Sequence, residues 1–116
     1  MKSREPSELL STQERVRILL ESLLSYDPDR IYLFGSAARG EDDELSDLDI
    51  VVILRTSEPF FDRLLMLGRA LPLDLGAVDM LAYSPDEREA MLASGNAFAE
   101  MVAQEGKVLY ERPSAR

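Results

Sequence analysis

The segment that follows Asp47 constrains the fold most strongly, because it contains an unbroken run of aliphatic side chains. Residues Ile50–Leu54 read Ile-Val-Val-Ile-Leu, with neither a polar side chain nor a turn residue among them. Such runs are typical of a central strand that is covered on both faces. A strand of this kind needs helices above and below it, so the segment predicts a fold in which helices pack against a sheet.

Three helical regions are predicted around this strand. An S-x-x-E capping box at residues 11–14 precedes apolar residues at i, i+3, i+4, i+7 and i+8, and Pro28 closes that helix. Pro59 marks the start of a second helix. A second S-x-x-E box at residues 84–87 begins a third region, which runs to about Gln104 and is expected to break at residues 94–96.

Short apolar runs predict three more strands, at Ile31–Phe34, Gly76–Tyr83 and Lys107–Tyr110. Between the first strand and the central one, Ser36–Arg39 is long enough for one helical turn. The order α-β-turn-β-α-β-α-β predicts an α/β or α+β fold with about four strands. At 116 residues the chain is predicted to be a single domain, 1–116, with a core from about residue 12 to residue 111.

The composition excludes several kinds of chemistry. The chain has no cysteine and no histidine, which rules out thiolate nucleophiles, imidazole bases and metals bound by those side chains. Catalysis is left to carboxylates, hydroxyls, Lys, Arg or a hard metal bound by oxygen. The net charge of −9 disfavours direct nucleic-acid binding and suits divalent cations or a basic partner. No apolar run of membrane length and no signal peptide are visible, which predicts a cytoplasmic protein.

Two acids stand at the entrance of the central strand. Asp47 and Asp49 are two residues apart, so on a strand they point to the same side, with Cα atoms roughly 6.6 Å apart. Carboxylates so placed can share hard cations. A solvated strand entrance is the alternative, but a strand entering a core seldom carries two such acids without a counter-charge or a metal. The four acids Glu41–Glu44 are expected to form a loop that deepens the negative potential.

Three further residues accompany this pair. Asp79 lies mid-strand among apolar neighbours; it is either an exposed edge-strand residue or, if its strand neighbours the central one, a third carboxylate of the same group. Gly35 and Ser36 lead from a strand into a helical turn, which suits phosphate binding or is an ordinary turn. Arg39 either contacts phosphate or balances the acids.

Together these features predict three carboxylates on one sheet face beside a phosphate-binding turn. Two Mg²⁺ ions about 3.5–4 Å apart, with Mn²⁺ as a substitute, would bridge the phosphates of a nucleotide and an attacking hydroxyl. Such chemistry needs neither histidine nor cysteine. The residues predicted to ligate metal and to act in catalysis are Asp47, Asp49 and Asp79.

These motifs resemble a known superfamily. Residues 33–40 (LFGSAARG), the ten residues between Ser36 and Asp47, and residues 47–52 (DLDIVV) are similar to the GS-x10-DxD signature of the DNA polymerase beta-like nucleotidyltransferases. More narrowly, they resemble the minimal nucleotidyltransferases (MNT) of prokaryotes. Asp79 matches the third Asp of that pattern, and the resemblance covers about residues 12–111.

The resemblance implies a mixed β-sheet flanked by helices, the nucleotidyltransferase fold. It implies transfer of a nucleoside monophosphate, AMP from ATP being the first choice, to a hydroxyl with release of pyrophosphate. Gly35 and Ser36 would hold the β- and γ-phosphates, and Arg39 would join them in binding the nucleotide. Asp47 and Asp49 would ligate both metals, while Asp79 would ligate the catalytic one and help to deprotonate the acceptor.

The resemblance also implies a partner. MNT proteins are often encoded beside an HEPN-domain toxin and act as its antitoxin, and some transfer AMP onto a tyrosine of that toxin. Larger superfamily members carry a helical domain or insertions that grip the base and the acceptor, and this chain has none. We therefore expect shallow pockets, or pockets completed by another chain in a homo- or hetero-oligomer. Apolar residues near Phe60 and Leu67 are expected to be exposed and available to a partner.

Two other functions stay open at this point. The chain would be a non-catalytic antitoxin, or binding module, if it neutralises an HEPN partner by complex formation alone. A receiver-like domain phosphorylated on Asp is disfavoured, because doubly wound sheets place their sites at the carboxyl ends of strands. Here the Asp pair stands at the amino end of its strand, and Lys107 precedes a strand rather than ending one.

Overall fold

The chain forms a four-stranded mixed sheet, which the computed structural model describes together with its helices over residues 10–41 and 47–113. The strands lie in the order β3-β2-β1-β4. β1 is antiparallel to both β2 and β4, whereas β2 and β3 are parallel. The antiparallel β1–β2 pair does not fit a doubly wound parallel sheet. The strands are β1 (Arg30–Phe34), β2 (Leu48–Ile53), β3 (Val78–Tyr83) and β4 (Lys107–Glu111).

The helices follow the predicted order. Both capping boxes form: the Ser11 hydroxyl accepts the Glu14 N–H and the Ser84 hydroxyl accepts the Glu87 N–H, at 3.2 and 3.1 Å. The predicted break at residues 94–96 separates the last two helices. In the described ranges the helices are α1 (Thr12–Leu23), α2 (Gly35–Ala38), α3 (Phe60–Arg69), α4 (Pro85–Ala93) and α5 (Ala97–Glu105).

Helices cover both faces of the central strand, as its aliphatic run predicts. On one face Ile50 and Val52 pack in a fully buried cluster with side chains of α1 and α3. On the other face Val51 and Ile53 pack against Val102 of α5. Within β2 only Asp49 is not buried. The α+β class with a mixed sheet of about four strands is therefore confirmed.

Helix α3 buries one side in the core and leaves apolar residues exposed on another. Leu67 itself is fully buried and Phe60 is half-buried, but apolar residues near them are exposed, as expected. The exposed apolar side chains of α3 are Phe61 and Leu65, at 76% and 56% of their surface. The buried side of α3 is defined by Leu67 and by Arg63 one turn earlier. The helix begins at Phe60, after Pro59 in the N-cap position.

The predicted acidic loop lies only partly in the described structure. Glu41 follows α2 and is exposed, and residues 42–46 lie outside the described residues. Across the ranges that are described, none of the helices combines the length and the apolar character needed to cross a membrane.

Candidate active site

Two of the three predicted acids are direct neighbours in the sheet. Asp49 is the second residue of β2 and Asp79 is the second residue of β3, and the parallel register pairs them. Strands lie about 4.8 Å apart, and register partners have side chains on the same face. Asp79 is exposed and β3 is an edge strand of the described sheet. Both interpretations of Asp79 therefore hold at once: it is an edge-strand residue and it neighbours Asp49.

Asp47 joins this acidic group from the position just before β2. It directly precedes Leu48, the first residue of the strand, and its side chain is exposed. Its negative charge acts on Asp49, two residues further on. We call Asp47, Asp49 and Asp79 the acidic triad.

The triad changes the protonation behaviour of its central member. Burial raises the pKa of the Asp49 carboxyl above its ordinary value of 3.8, and the charges of Asp79 and Asp47 raise it further. The Arg39 guanidinium opposes this shift and lowers the pKa. The fold thus disfavours the ionised form of Asp49, and a bound cation would stabilise that form.

Gly35 allows the β1–α2 turn to pass against the triad. Its φ of 71° lies in the left-handed region, which favours glycine. A Cβ at this position would lie 3.1 Å from Cγ of Asp49 and would overlap one of its carboxylate oxygens. A side chain at position 35 would therefore displace Asp49. Ser36 follows Gly35 in α2 and is half-buried.

Arg39 stands at the end of the same turn and pairs with an acid outside the triad. Its Nε lies 2.7 Å from Oε1 of Glu41, and both side chains are largely exposed. The hydrogen bond and the charge of Glu41 raise the pKa of Arg39, with a smaller contribution from Asp49. Arg39 is thus near enough to influence the triad, and its ion pair is with Glu41.

Two buried arginines hold β3 in place, and neither was singled out from the sequence. Arg15 of α1 donates to the carbonyls of Leu75 and Ala77 at 2.8 and 2.9 Å, just before β3 begins. Arg63 of α3 donates to the carbonyl of Ala82, near the end of β3, at 3.1 Å. These bonds position the strand that carries Asp79. The available signal is spacing: each arginine lies four residues before a buried leucine on its helix.

The chemistry of the triad fits a hard divalent cation. It offers oxygen ligands only, which is the donor set preferred by Mg²⁺ and Mn²⁺. In the described part of the chain, no three acidic side chains are already arranged to hold a metal ion. The triad supplies the donors and the charge, and its carboxylates would have to converge further to surround an ion.

The chain thus combines an α+β sheet with an acidic group beside a glycine turn. The chain matches the family described as nucleotidyltransferase domain over residues 16–110. That range includes Gly35, Ser36 and the whole triad, and it covers most of the chain. The protein therefore belongs to the nucleotidyltransferase domain family.

Solved structures share this fold. A Sulfolobus solfataricus protein provisionally named a nucleotidyltransferase aligns with a TM-score of 0.55 and 23% identity, covering 84% of each chain. A toxin–antitoxin crystallised with AMP-PNP gives 0.56 and 24%, covering 84% of this chain and 73% of that one. A mutant of the toxin–antitoxin MntA-HpeT gives 0.58 and 21%, with the same coverage. No functionally curated protein matches the chain by sequence.

Proposed function

We propose that the protein is a divalent-cation-dependent nucleotidyltransferase that transfers AMP from ATP to a hydroxyl of a partner HEPN toxin, and so acts as its antitoxin. The observation that carries this proposal is the register of Asp49 beside Asp79. It supports a common site for the acids that the nucleotidyltransferase signature requires.

The proposed reaction exchanges one phosphorus–oxygen bond for another. The acceptor oxygen bonds to the α-phosphorus, and the bond from that phosphorus to the bridging oxygen of the β-phosphate breaks. Its electron pair leaves with pyrophosphate. The acceptor proton passes to a carboxylate oxygen of Asp79, which is exposed and therefore accessible to a second substrate. Asp47 and Asp49 face the triphosphate.

Mg²⁺ ions bound by the triad would neutralise charge on the phosphate oxygens and lower the pKa of the acceptor hydroxyl. Gly35 and Ser36 would hold the β- and γ-phosphates, because the turn has no side chain at its closest approach to Asp49. Arg39 would bind the nucleotide once Glu41 releases its guanidinium. Because both side chains are largely exposed, breaking their ion pair costs little free energy.

The partner is proposed from two observations. Two of the structural relatives are toxin–antitoxin proteins, one of them crystallised with AMP-PNP. The net charge of −9 also favours a basic partner, because complementary charge speeds and orients association. An HEPN ribonuclease that binds RNA fits this requirement.

The experiment supplies the purified protein with Mg²⁺, the HEPN protein encoded by the neighbouring gene, and each of the four NTPs labelled at the α-phosphate. We expect label on the partner with ATP, and none with ATP labelled at the γ-phosphate. If no NTP labels the partner, the proposed activity is wrong.

A second candidate function is neutralisation by binding alone. It is favoured by the absence, among residues 10–41 and 47–113, of three acids already arranged around an ion. Asp49→Asn separates the two functions, because it keeps the shape of the side chain and removes its charge. If this variant still neutralises the toxin in cells as well as the wild type, catalysis is dispensable.

A further inference from the structure

The outer edge of β3 is open beside Asp79. In the described sheet β3 pairs with β2 alone. The carbonyls of Ala77 and Tyr83 accept hydrogen bonds from the β2 side, at 3.1 and 3.0 Å. The N–H and C=O groups of successive residues point to opposite sides of a strand. Those of Val78, Met80 and Ala82 therefore point away from β2.

Only the first half of this edge is uncovered. Arg63 occupies the second half, where it donates to the Ala82 carbonyl and also to the Glu58 carbonyl at 2.7 Å. The main-chain groups of Val78 and Met80 face no strand of the described chain. Asp79 lies between these two residues, with its side chain on the triad face of the sheet.

A groove of about 450 Å³ runs beside this half of the edge. One wall comes from α3 and the loop after it, including Leu64, Gly68 and Leu73, and the other from residues 78–80 of β3. Leu73 is 96% exposed, which is unusual for a leucine in a folded domain. Most of the residues that line the groove are apolar, but polar atoms form the larger part of its exposed surface, and it ends at Asp79 of the proposed active site.

We propose that this groove binds an extended segment of the acceptor protein, which adds to β3 as a further strand and presents a hydroxyl side chain to Asp79. This inference rests on the proposed function, and it names how the acceptor binds. An added strand would bond to the outward groups of Val78 and Met80. Its residue in register with Asp79 would point to the same face, with Cβ atoms about 4.5–5.5 Å apart.

The open edge of β3 favours an extended segment over a helix as its binding partner. Free main-chain donors and acceptors are satisfied by an extended backbone, whereas a helix has already used its own. The polar part of the groove surface suits the main chain of such a segment, and the wall side chains of Leu64, Leu73 and Met80 suit apolar side chains at its alternate positions. Asp79 and the net charge of −9 favour Lys or Arg at the remaining positions. The other edge strand, β4, carries no member of the triad.

The test uses short synthetic peptides with a central Ser, Thr or Tyr, apolar residues at alternate positions and Lys elsewhere. The full chain, Mn²⁺ and ATP labelled at the α-phosphate are added. We expect label on these peptides and none on peptides with a central Ala. Gly68→Phe should reduce labelling about tenfold or more, because the ring fills the groove, where a Cβ meets nothing within 4 Å.

Arg69→Phe is the matched control, because it adds the same ring to the neighbouring exposed position of α3 outside the groove, and it should label as the wild type does. Leu73→Asp provides a second variant at an exposed wall residue and should also reduce labelling. The rise in melting temperature caused by Mn²⁺ and ATP together is measured for every variant, and we expect it to be unchanged.

The outcomes separate the two proposals. If Mn²⁺ and ATP do not stabilise the wild type and no peptide is labelled, the proposed function itself fails. If they stabilise it but peptides remain unlabelled, or Gly68→Phe labels as well as the wild type, the docking proposal is overturned. Transfer only to small hydroxyl compounds would also overturn the docking proposal, because no extended segment would then be bound. Dimerisation of the chain that Leu73→Asp abolishes would overturn it too, because the groove would then bind a second copy of the chain.

Discussion

Asp79 is paired directly with Asp49 in the parallel register of β3 and β2. Two like charges in this relationship destabilise a sheet. A natural chain retains such a pair when function requires it, at some cost in stability. The stability of the protein should therefore respond to cations and to neutral substitutions in the triad.

Divalent cations should stabilise the folded chain. Because the triad exists only in the folded state, an ion that binds it with Kd well below its concentration adds RT ln(1 + [L]/Kd), or about 2.7 kcal/mol at a hundredfold excess over Kd. Calorimetry with millimolar Mn²⁺ should show a higher melting temperature, and more so with ATP. Asp47→Asn should abolish the gain, while Glu21→Gln on α1 should keep it. An unchanged wild-type melting temperature would contradict the metal proposal.

Asp49→Asn should stabilise the metal-free protein at pH 7. The pKa of Asp49 is raised in the fold above 3.8, so its ionised form costs stability at neutral pH. The native state binds the extra proton as pH falls through the raised pKa, so this cost is relieved towards acid pH. We expect the variant to melt about 2–5 °C higher at pH 7, with a gain that shrinks near pH 4. Melting curves at several pH values measure this, and a lower melting temperature at pH 7 would contradict it.

Gly35→Ala should damage the site beyond its effect on the backbone. Both Gly35 and Gly95 have positive φ, 71° and 74°, but only at position 35 would a Cβ meet Asp49. Gly95→Ala should cost about 1 kcal/mol of strain, and Gly35→Ala about 1–3 kcal/mol more, because the carboxylate must move. Chemical unfolding compares the two. Equal losses, with the Mn²⁺ effect retained, would show that the contact with Asp49 is unimportant.

Arg63→Met should destabilise the fold strongly. The change leaves the carbonyls of Glu58 and Ala82 without their donor and removes the partner of Glu87, 2.6 Å away. We expect a loss of about 3 kcal/mol in the free energy of unfolding. Arg17→Met is the matched control: its pair with Glu21 is exposed, so it should cost about 0.5 kcal/mol or less. Similar losses for both would contradict the assigned role of Arg63.

The ion pair between Arg63 and Glu87 makes the stability of the fold depend on pH. The hydrogen bond from Arg63 holds the pKa of Glu87 below its ordinary value of 4.5, helped by the Ser84 N–H. Its contribution is therefore fully present above pH 4.5 and is lost as pH falls through the lowered pKa. Glu87→Gln should cost about 1 kcal/mol at pH 7 and progressively less below pH 4. Urea unfolding at both pH values checks this, and a pH-independent loss would contradict it.

Local signals account for most of what the sequence predicted correctly. A capping box needs only residues three apart, so Ser11 and Ser84 could be recognised without knowledge of the fold. The run Ile50–Leu54 predicted a covered strand for the same reason. The pairing of Asp49 with Asp79 is not local: Asp79 by itself left open whether β3 adjoins β2, and the shared chemistry of the three acids, together with the family resemblance, favoured it.

The burial of the two arginines and the side of α3 that faces the core were not predicted from the sequence. A hydropathy pattern places Arg15 and Arg63 on the surface, and their burial depends on carbonyls that other segments bring to them. Helix α3 carries apolar residues around much of its circumference. Packing against β3, rather than periodicity, decides that Leu67 is buried and Phe61 exposed.

The most direct test of the central claim is the intact mass of the HEPN partner after incubation with ATP, Mg²⁺ and either the wild-type protein or Asp49→Asn. We predict that the wild type adds the mass of one AMP group to the partner, that Glu21→Gln does the same, and that Asp49→Asn adds none. An unmodified partner with the wild type and every NTP, or equal modification by Asp49→Asn, would contradict the assignment of the triad to nucleotidyl transfer.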